Sequence, residues 1–283
     1  MPAETLEDAA GALRKSASGR EGREHDDELG SAKNIGLFHM NPILSKMLST
    51  GSFDNAGEQV PLHSHMSLGE GELISGAFKF AKAAISLEIG CAYGVSALFA
   101  CDALADNARE GRPKHIIIDP FQSTEWRGLG LKNLIAAGYA DIVDLHEERS
   151  EFALPALAAQ GTPIDAAIID GWHTLDHTLI DLFYVNRMLR TGGTIVLDDT
   201  SFPAINRIVR YFLSYPAYRL GAVAGVPTPA SKLVSDIVAK ELNSPFGAPR
   251  PDWRQTPPEA FGTAVVLLKV ADDDRPWNWY ADF

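Results

Sequence analysis

The segment that most constrains the fold of this chain spans residues 87–94 and reads LEIGCAYG. The preceding residues 83–86 predict a buried strand, and residues 95–100 have helical composition. A strand that turns through two glycines into a helix presents backbone N–H groups and the positive end of the helix dipole. Such a turn accepts an anionic or polar cofactor. Its G-x-x-x-G spacing, preceded by Glu88, differs from the G-x-G-x-x-G of dinucleotide-binding folds and disfavours an NAD-dependent dehydrogenase.

Predicted strands and helices alternate downstream of that turn. The strands are predicted over residues 115–119, 142–145, 165–170 and 194–199, and the helices over 125–138, 150–159 and 174–189. This alternation predicts an α/β fold with a Rossmann-like, doubly wound and mostly parallel sheet. A further helix is predicted over 203–214, followed by strands over 218–224 and 261–270. Because a short connection follows that helix, we expect one of the last two strands to run antiparallel.

Acidic residues stand at the carboxyl ends of the predicted parallel strands. They are Glu88, Asp119, Asp170, Asp198 and Asp199. Ligands of open α/β sheets bind outside this edge of the sheet. Several carboxylates at one edge repel one another unless cations or hydroxyl groups meet them. This convergence is the strongest functional signal in the sequence.

The chain divides into three predicted parts. Residues 1–34 are rich in charged residues, glycine and serine, and we expect a flexible arm. Residues 35–66 predict a helical cap, built on an amphipathic stretch over 35–53. Residues 67–283 form the main domain, with a proline-rich insertion over 227–260 that has a helical piece and is expected to act as a lid.

Two local signals precede the first strand of the main domain. Ser67 and Glu70 match a capping box and predict a helix that runs to about residue 81. His63 and His65 form an H-x-H pattern that could bind a metal, but we interpret both as solvated loop residues.

Charge and cysteine content exclude several classes of function. The net charge of −12, without a basic run, opposes binding to nucleic acid or to an anionic membrane surface. The two cysteines do not suggest a disulfide framework, so we expect a reducing, cytoplasmic location. No apolar run of about 18 residues predicts a membrane span, and the first residues do not resemble a signal peptide.

Residues 67–270 resemble the class I S-adenosylmethionine-dependent methyltransferases. Within that class they are most similar to the metal-dependent small-molecule O-methyltransferases, which include the catechol and caffeoyl-CoA enzymes and bacterial sugar and natural-product enzymes. Five features carry the resemblance in order: EGEL at residues 70–73, EIGCAYG at 88–94, Asp119, DGWH at 170–173, and Gly192-Gly193 leading to LDDT at 197–200. The resemblance implies S-adenosylmethionine as cofactor and a homodimeric enzyme.

The resemblance also implies cofactor-binding roles. Gly90 and Gly94 would let the backbone approach the methionine part of the cofactor, and Glu88 would lie beneath the loop and position it. Asp119 would accept both ribose hydroxyls, for which two acceptor oxygens are suited. Further contacts are expected from the same loop and from the adenine-lining loop: Cys91, Ala92, Tyr93, Ser96, Glu148, Arg149, Ser150 and Asp170. Arg149 is equally compatible with a surface position.

Three acids match the divalent-metal ligands of the family: Asp170, Asp198 and Asp199. Mg²⁺ prefers oxygen ligands and keeps positions open for water or substrate. In the family such an ion holds the substrate hydroxyl, lowers its pKa and aims the oxygen at the methyl group. The position of Asp199 is often Asn in the family. An alternative remains that Asp198 and Asp199 only shape the turn after the strand.

His173 stands three residues after Asp170, where catechol-type enzymes place a catalytic lysine. An imidazole can accept a proton at neutral pH, so we expect His173 to act as general base; a structural role is the alternative. His177, one helical turn further on, could orient His173, contact substrate or pack. Trp172 is interpreted either as a wall of the substrate pocket or as a core residue.

The sequence therefore predicts a methyltransferase that uses S-adenosylmethionine, and a divalent metal such as Mg²⁺, to methylate a hydroxyl group of a small molecule. Two alternatives remain open at this point. One is a metal-independent N- or C-methyltransferase of the same fold, and the other is a non-catalytic S-adenosylmethionine-binding protein. The acceptor is not identified, and its determinants are expected within residues 35–66 and 227–260.

Overall fold

The computed structural model describes residues 40–55, 58–63, 65–108, 112–245 and 250–283. Its helices are α1 (Pro42–Thr50), α2 (Leu68–Ala81), α3 (Val95–Asn107), α4 (Leu129–Ala136), α5 (Ser150–Ala159), α6 (Leu175–Met188), α7 (Pro203–Ser214) and α8 (Thr228–Asn243). Its strands are β1 (Ser52–Asn55), β2 (Glu58–Pro61), β3 (Ile85–Ile89), β4 (Lys114–Ile118), β5 (Val143–His146), β6 (Ile164–Ile169), β7 (Leu189–Leu197), β8 (Tyr218–Ala224) and β9 (Ala264–Lys269). The predicted arm over residues 1–34 lies outside the described residues.

Seven strands form one sheet in the order β5-β4-β3-β6-β7-β9-β8. The neighbours from β5 to β7 pair in parallel, and β9 pairs antiparallel with both β7 and β8. The predicted fold class is therefore confirmed, and the antiparallel strand is the last one. The chain winds outward in both directions from β3 and β6, so their carboxyl ends form the switch point at which ligands of such sheets bind.

The sheet is covered on both faces by helices. One buried cluster contains residues of α5, α6 and α7, and the other contains residues of α1, α2, α3 and α4. Side chains alternate along β3, so that Leu87 and Ile89 face the first cluster while Glu88 points to the second. Glu88 is thereby directed toward α3, the helix that follows the glycine loop.

The segment before the main domain packs on the main domain. Leu44 and Met47 of α1 are buried, and the backbone N–H of Asn41 donates to Asp102 Oδ2 at 2.9 Å. Strands β1 and β2 form an antiparallel hairpin that the sequence did not predict. Because the apolar face of α1 is buried within the chain, it gives no support to a subunit interface.

Two sequence-based boundaries are wrong. The helix predicted from residue 125 begins at Leu129, because Arg127 and Gly128 have positive φ angles of 54° and 68° and hold the chain in turns. The strand predicted from residue 194 begins at Leu189, directly after α6, so Gly192 and Gly193 lie inside β7. A Cβ atom at Gly193 would lie 2.7 Å from the carbonyl oxygen of Asp165, so only glycine permits this pairing with the β6 region.

The predicted insertion over residues 227–260 contains α8, which packs against β8 at the edge of the sheet. Its end is fixed by Glu241, which is 2 % exposed and accepts from Arg250 Nη2 at 2.7 Å. A role as a lid stays a prediction. Among the described residues, no helix is long and apolar enough to cross a membrane.

The capping box at the start of α2 yields a stability prediction. Ser67 Oγ accepts from the Glu70 backbone N–H, and Glu70 Oε2 accepts from the Ser67 backbone N–H at 2.6 Å. We expect Ser67→Ala to lower the free energy of unfolding by about 1 kcal/mol, because an N–H of the first turn loses its acceptor. Urea unfolding monitored by circular dichroism measures the change. Ser67→Asp retains an acceptor, and an equal loss in that control would contradict the explanation.

Candidate active site

The glycine loop that joins β3 to α3 adopts a conformation that requires glycine at both ends. Gly90 has φ +86°, and a Cβ atom there would lie 2.0 Å from the carbonyl oxygen of Asp170. Gly94 has φ +82°, forms the N-cap of α3, and would bring a Cβ within 3.1 Å of the Gly130 carbonyl oxygen. L-residues with side chains are strained at such φ values. The loop is thus packed tightly against the residue that opens the DGWH segment.

Asp119 organises the backbone of this loop. Its Oδ2 accepts from the N–H groups of Cys91 at 3.2 Å and Ala92 at 3.1 Å, while Oδ1 accepts from the Phe121 N–H at 2.9 Å. The carboxylate is 3 % exposed. Asp119 therefore holds the cofactor loop in this structure, and its predicted contact with a ribose stays a prediction.

Two further residues that the sequence analysis missed hold the same loop. Gln122 Nε2 donates to the carbonyl oxygen of Ala92 and to Asp119 Oδ2, both at 2.8 Å. Asn133 Nδ2, on α4, donates to the carbonyl oxygen of Tyr93 at 2.9 Å. Both side chains are buried. Neither residue stands in a local motif, so only the folded chain relates them to the loop.

A chain of buried polar side chains lies beneath the loop. Ser96 donates to Glu88 Oε1, and His115 Nε2 lies 2.6 Å from Glu88 Oε2. His115 Nδ1 lies 2.8 Å from Ser86 Oγ, and one neutral tautomer of the imidazole satisfies both contacts. Glu88 and His115 are fully buried. Glu88 lies beneath the loop, as predicted, and reaches it through Ser96.

Aromatic residues cover the outer side of the loop. The hydroxyl of Tyr93 lies 2.6 Å from His63 Nε2. The ring of Tyr93 is 5.2 Å from both Phe53 of the hairpin and Trp126, measured between centroids. His63 is exposed, in agreement with its interpretation as a solvated residue, but it also contacts Tyr93 of the cofactor loop. His65 is exposed, as expected.

The acids at the switch point gather around His173. Its Nε2 lies 3.3 Å from Asp170 Oδ1 and 3.0 Å from Asp199 Oδ2. One ligand atom from each of these three residues lies within 4.8 Å of the others, a spacing that could hold a metal ion. The structure thus brings together two of the predicted metal ligands and the predicted general base. Asp198, the third predicted ligand, does not belong to this group.

Asp198 stands behind the group and is 8 % exposed. Burial, together with the negative charges of Asp170 and Glu70, raises the pKa of Asp198 to about 8. Burial also raises the pKa of Asp170 to about 6, against the opposing effect of His173. Carboxyl groups with such pKa values are held in surroundings that disfavour their negative charges. A positive charge at this site would therefore stabilise the ionised carboxylates.

His173 supplies part of this positive charge. Its hydrogen bonds to Asp170 and Asp199 raise the pKa of His173 to about 10, although partial burial lowers it. At neutral pH the ring is then an imidazolium, which cannot accept a proton. The predicted role of His173 as general base therefore requires that it lose these two partners.

The residues predicted near the adenine lie after β5 and at the start of α5. Glu148 and Arg149 are exposed, and Arg149 Nη1 is 3.7 Å from Glu151 Oε1. Ser150 is the first residue of α5.

Trp172 is 61 % exposed, which excludes the alternative of a core residue and leaves a wall of the substrate pocket as the prediction.

His177 also keeps an open role. Its Nδ1 lies 2.9 Å from Thr174 Oγ1, and its ring centroid is 6.3 Å from that of Trp172. Neither contact joins it to His173.

The tight contact at Gly90 yields a second prediction. We expect Gly90→Ala to lower the free energy of unfolding by about 3 kcal/mol or more, since it adds a steric clash to the cost of a positive φ. Gly138 has φ +90° with no atom within 4 Å of a Cβ, so Gly138→Ala isolates the backbone cost of about 1 kcal/mol. Chemical unfolding of both variants measures the difference. Equal losses would contradict the close approach.

The comparisons with known proteins agree with this geometry. A family model described as a methyltransferase domain, Methyltransf_24, matches residues 87–200, from the glycine loop through the acids at the end of β7. No sequence match is found among curated proteins.

Solved structures share the fold at low identity. The O-methyltransferase TomG from Streptomyces achromogenes, involved in tomaymycin synthesis and solved with S-adenosylmethionine, is 17% identical with a TM-score of 0.56, covering 81% of this chain and 90% of that chain. A putative O-methyltransferase from Klebsiella pneumoniae is 15% identical with a TM-score of 0.56, covering 83% and 93%. An O-methyltransferase from Bacillus cereus, in complex with S-adenosylhomocysteine, is 16% identical with a TM-score of 0.55, covering 83% and 94%.

The domain match covers the loop and the acidic edge, and the fold extends over most of the chain. The resemblance seen in the sequence is confirmed at this level: residues 87–200 match a methyltransferase domain, and the chain has the fold of the class I S-adenosylmethionine-dependent methyltransferases.

Proposed function

We propose that this protein transfers the methyl group of S-adenosylmethionine to a hydroxyl oxygen of a small molecule, with the help of a divalent cation. The observation that supports this most is the position of Asp170. Its backbone packs against Gly90 of the cofactor loop, and its carboxylate belongs to the group with His173 and Asp199. The elements that would hold the methyl donor and the acceptor are therefore adjacent.

The residues present fit the cofactor. Gly90 and Gly94 give the loop a backbone conformation that favours glycine, and the loop backbone is held in place by Asp119, Gln122 and Asn133. When bound, S-adenosylmethionine supplies an electrophilic methyl group. The role of this chain is to bind and orient that group, because alignment of the reacting atoms supplies much of the rate of such a transfer.

The residues also fit a divalent cation. Asp170 and Asp199 offer oxygen atoms beside His173, and Asp198 adds a buried carboxylate whose charge is disfavoured without a counter-charge. Hard cations such as Mg²⁺ prefer these ligands. Such an ion would hold the acceptor oxygen and lower the pKa of its hydroxyl.

His173 completes the proposed mechanism. If Asp170 and Asp199 held a cation, they would no longer pair with His173 and its pKa would fall. A neutral Nε2 would then accept the proton of the acceptor hydroxyl. Trp172, exposed beside this group, is proposed as a wall of the acceptor site.

One observation favours a second candidate, a metal-independent methyltransferase of the same fold. The imidazolium of His173 already places a positive charge between Asp170 and Asp199. If that charge suffices, the carboxylates act by orienting His173, and no divalent ion is needed. The similar structures from Streptomyces achromogenes and Bacillus cereus are O-methyltransferases, which supports oxygen as the methylated atom in either case.

The remaining predictions concern the state of the protein in the cell. A cytoplasmic location and a homodimer are proposed from the cysteine content and from the resemblance. The buried face of α1 packs within the chain, so the dimer would require a different surface.

Cation binding can be tested by stability. The pKa of Asp198 is raised to about 8 from 3.8, so the cation-free fold should lose stability as pH rises from about 4 to 8. We expect Mg²⁺ or Mn²⁺ to raise the midpoint of thermal unfolding more at pH 8.5 than at pH 6.0, because its ligands must lose protons.

Asp198→Asn should stabilise the cation-free protein at pH 8.5 and reduce the response to the ion. Asp106→Asn, a surface acid paired with Lys79, serves as the control and should respond as the wild type does. An unchanged midpoint of the wild type with either ion would contradict the metal proposal.

Methyl transfer can be tested with paired acceptors. We expect S-adenosylhomocysteine to form with small phenols and not with anilines of the same skeleton, and a chelator to abolish the reaction. His173→Gln should lower kcat by about 10²–10⁴-fold at unchanged cofactor affinity, as expected for loss of a general base. His65→Gln, an exposed histidine, is the control. Turnover that survives chelation would favour the second candidate, and cofactor binding without turnover would favour a non-catalytic protein.

A further inference from the structure

Asp181 of α6 is a buried acid that the proposed mechanism does not use. The residue is 1 % exposed, and its Oδ1 has no hydrogen-bond partner among the described residues. Buried polar atoms in folded proteins are nearly always paired, since an unpaired one costs stability. An apolar side chain of similar size would fill this place without that cost. The position of Asp181 therefore calls for an explanation other than packing.

Asp181 contacts two loops at the carboxyl edge of the sheet. The hydroxyl of Ser150, the first residue of α5, lies close enough to the carboxylate to lower the pKa of Asp181. Its Oδ2 lies 3.9 Å from the point that a Cβ of Gly171 would occupy. One turn earlier on α6, Thr178 Oγ1 donates to the Trp172 carbonyl oxygen at 3.2 Å. The helix thus holds both the loop after β5 and the loop after β6 from behind.

The groups that face Asp181 make its charge unfavourable. Burial raises the pKa of Asp181 to about 6, and Glu151 of α5 adds to this effect. The hydrogen bond from Ser150 and the charge of His177, on the same helix, act in the opposite direction. At neutral pH the carboxyl is ionised in surroundings that do not fully compensate it.

We propose that Asp181 is a positioning residue for the adenine end of the cofactor. Through Ser150 it fixes the start of α5 and the residues 147–149 before it, and by occupying the space behind Gly171 it sets their distance from the loop after β6. These two loops would enclose the adenine, so this inference rests on the proposed function. The stability lost by burying the carboxylate maintains a preformed nucleoside pocket.

The test compares cofactor affinity with stability in three variants. Asp181→Leu removes the unpaired carboxylate, Asp181→Asn keeps an oxygen that can accept from Ser150, and Ser150→Ala removes the donor. We expect Asp181→Leu to weaken binding of S-adenosylhomocysteine at least fivefold by calorimetry, while its midpoint of thermal unfolding stays equal or rises. Asp181→Asn should bind within twofold of the wild type.

The double variant with Ser150→Ala and Asp181→Leu should bind no more weakly than Asp181→Leu alone, because both changes break the same link. The probe 5′-methylthioadenosine lacks the amino-acid half of the cofactor, so its affinity should fall by the same factor as that of S-adenosylhomocysteine. Asp165→Asn is the matched control at the opposite edge of the sheet. Asp165 accepts from the N–H groups of Ala84 and Ile85, so this variant should lose stability at unchanged affinity.

The outcomes separate the two proposals. If the wild type does not bind S-adenosylhomocysteine, the proposed function fails. If the wild type binds it and Asp181→Leu binds equally well, only the positioning role is overturned. A lowered midpoint with unchanged affinity in Asp181→Leu would make Asp181 a structural residue, and a loss confined to S-adenosylhomocysteine would place its effect away from the adenine.

Discussion

The contact between Gly90 and the backbone of Asp170 is the constraint on which the site depends. The backbone N–H of Asp170 donates to the carbonyl oxygen of Ile89 at 2.9 Å, and the missing side chain of Gly90 lets the two loops touch. This contact lies where the chain winds outward in both directions from β3 and β6. The cofactor loop and the acidic edge are therefore joined by direct backbone contacts.

The second constraint is electrostatic. Parallel strands bring their carboxyl ends to one edge, and in this chain those ends are acidic. Glu88 and Asp119 have local hydrogen-bond partners, His115 for Glu88 and backbone N–H groups of the loop for Asp119. Burial raises the pKa values of Asp170 and Asp198, and His173 pairs with Asp170 and Asp199. The proposed reactive part of the edge is therefore the part where negative charge is disfavoured.

Support for the loop comes from every side. Glu88 and Ser96 hold it from beneath, and Gln122 and Asn133 hold its carbonyl oxygens. Tyr93 is covered by aromatic residues of the hairpin region. A loop fixed in this way has little conformational freedom left to lose when a ligand binds, which favours affinity. Asp181 extends the same principle to the other end of the proposed cofactor site.

The sequence by itself determined the fold class, the antiparallel strand near the end of the chain, and the acids at the strand ends. Each of these follows from local patterns, namely apolar runs, glycine spacing and the alternation of strands with helices. Only the tertiary structure placed His173 beside Asp199 and left Asp198 outside that group. It alone also revealed the contacts of four further residues: Gln122, Asn133, His63 and Asp181. These residues are far apart in the chain or carry no motif, and their contacts arise because parallel pairing and helix packing bring separate loops to one edge. A pKa likewise depends on burial and neighbouring charges, so the protonated state of His173 was beyond any reading of the sequence.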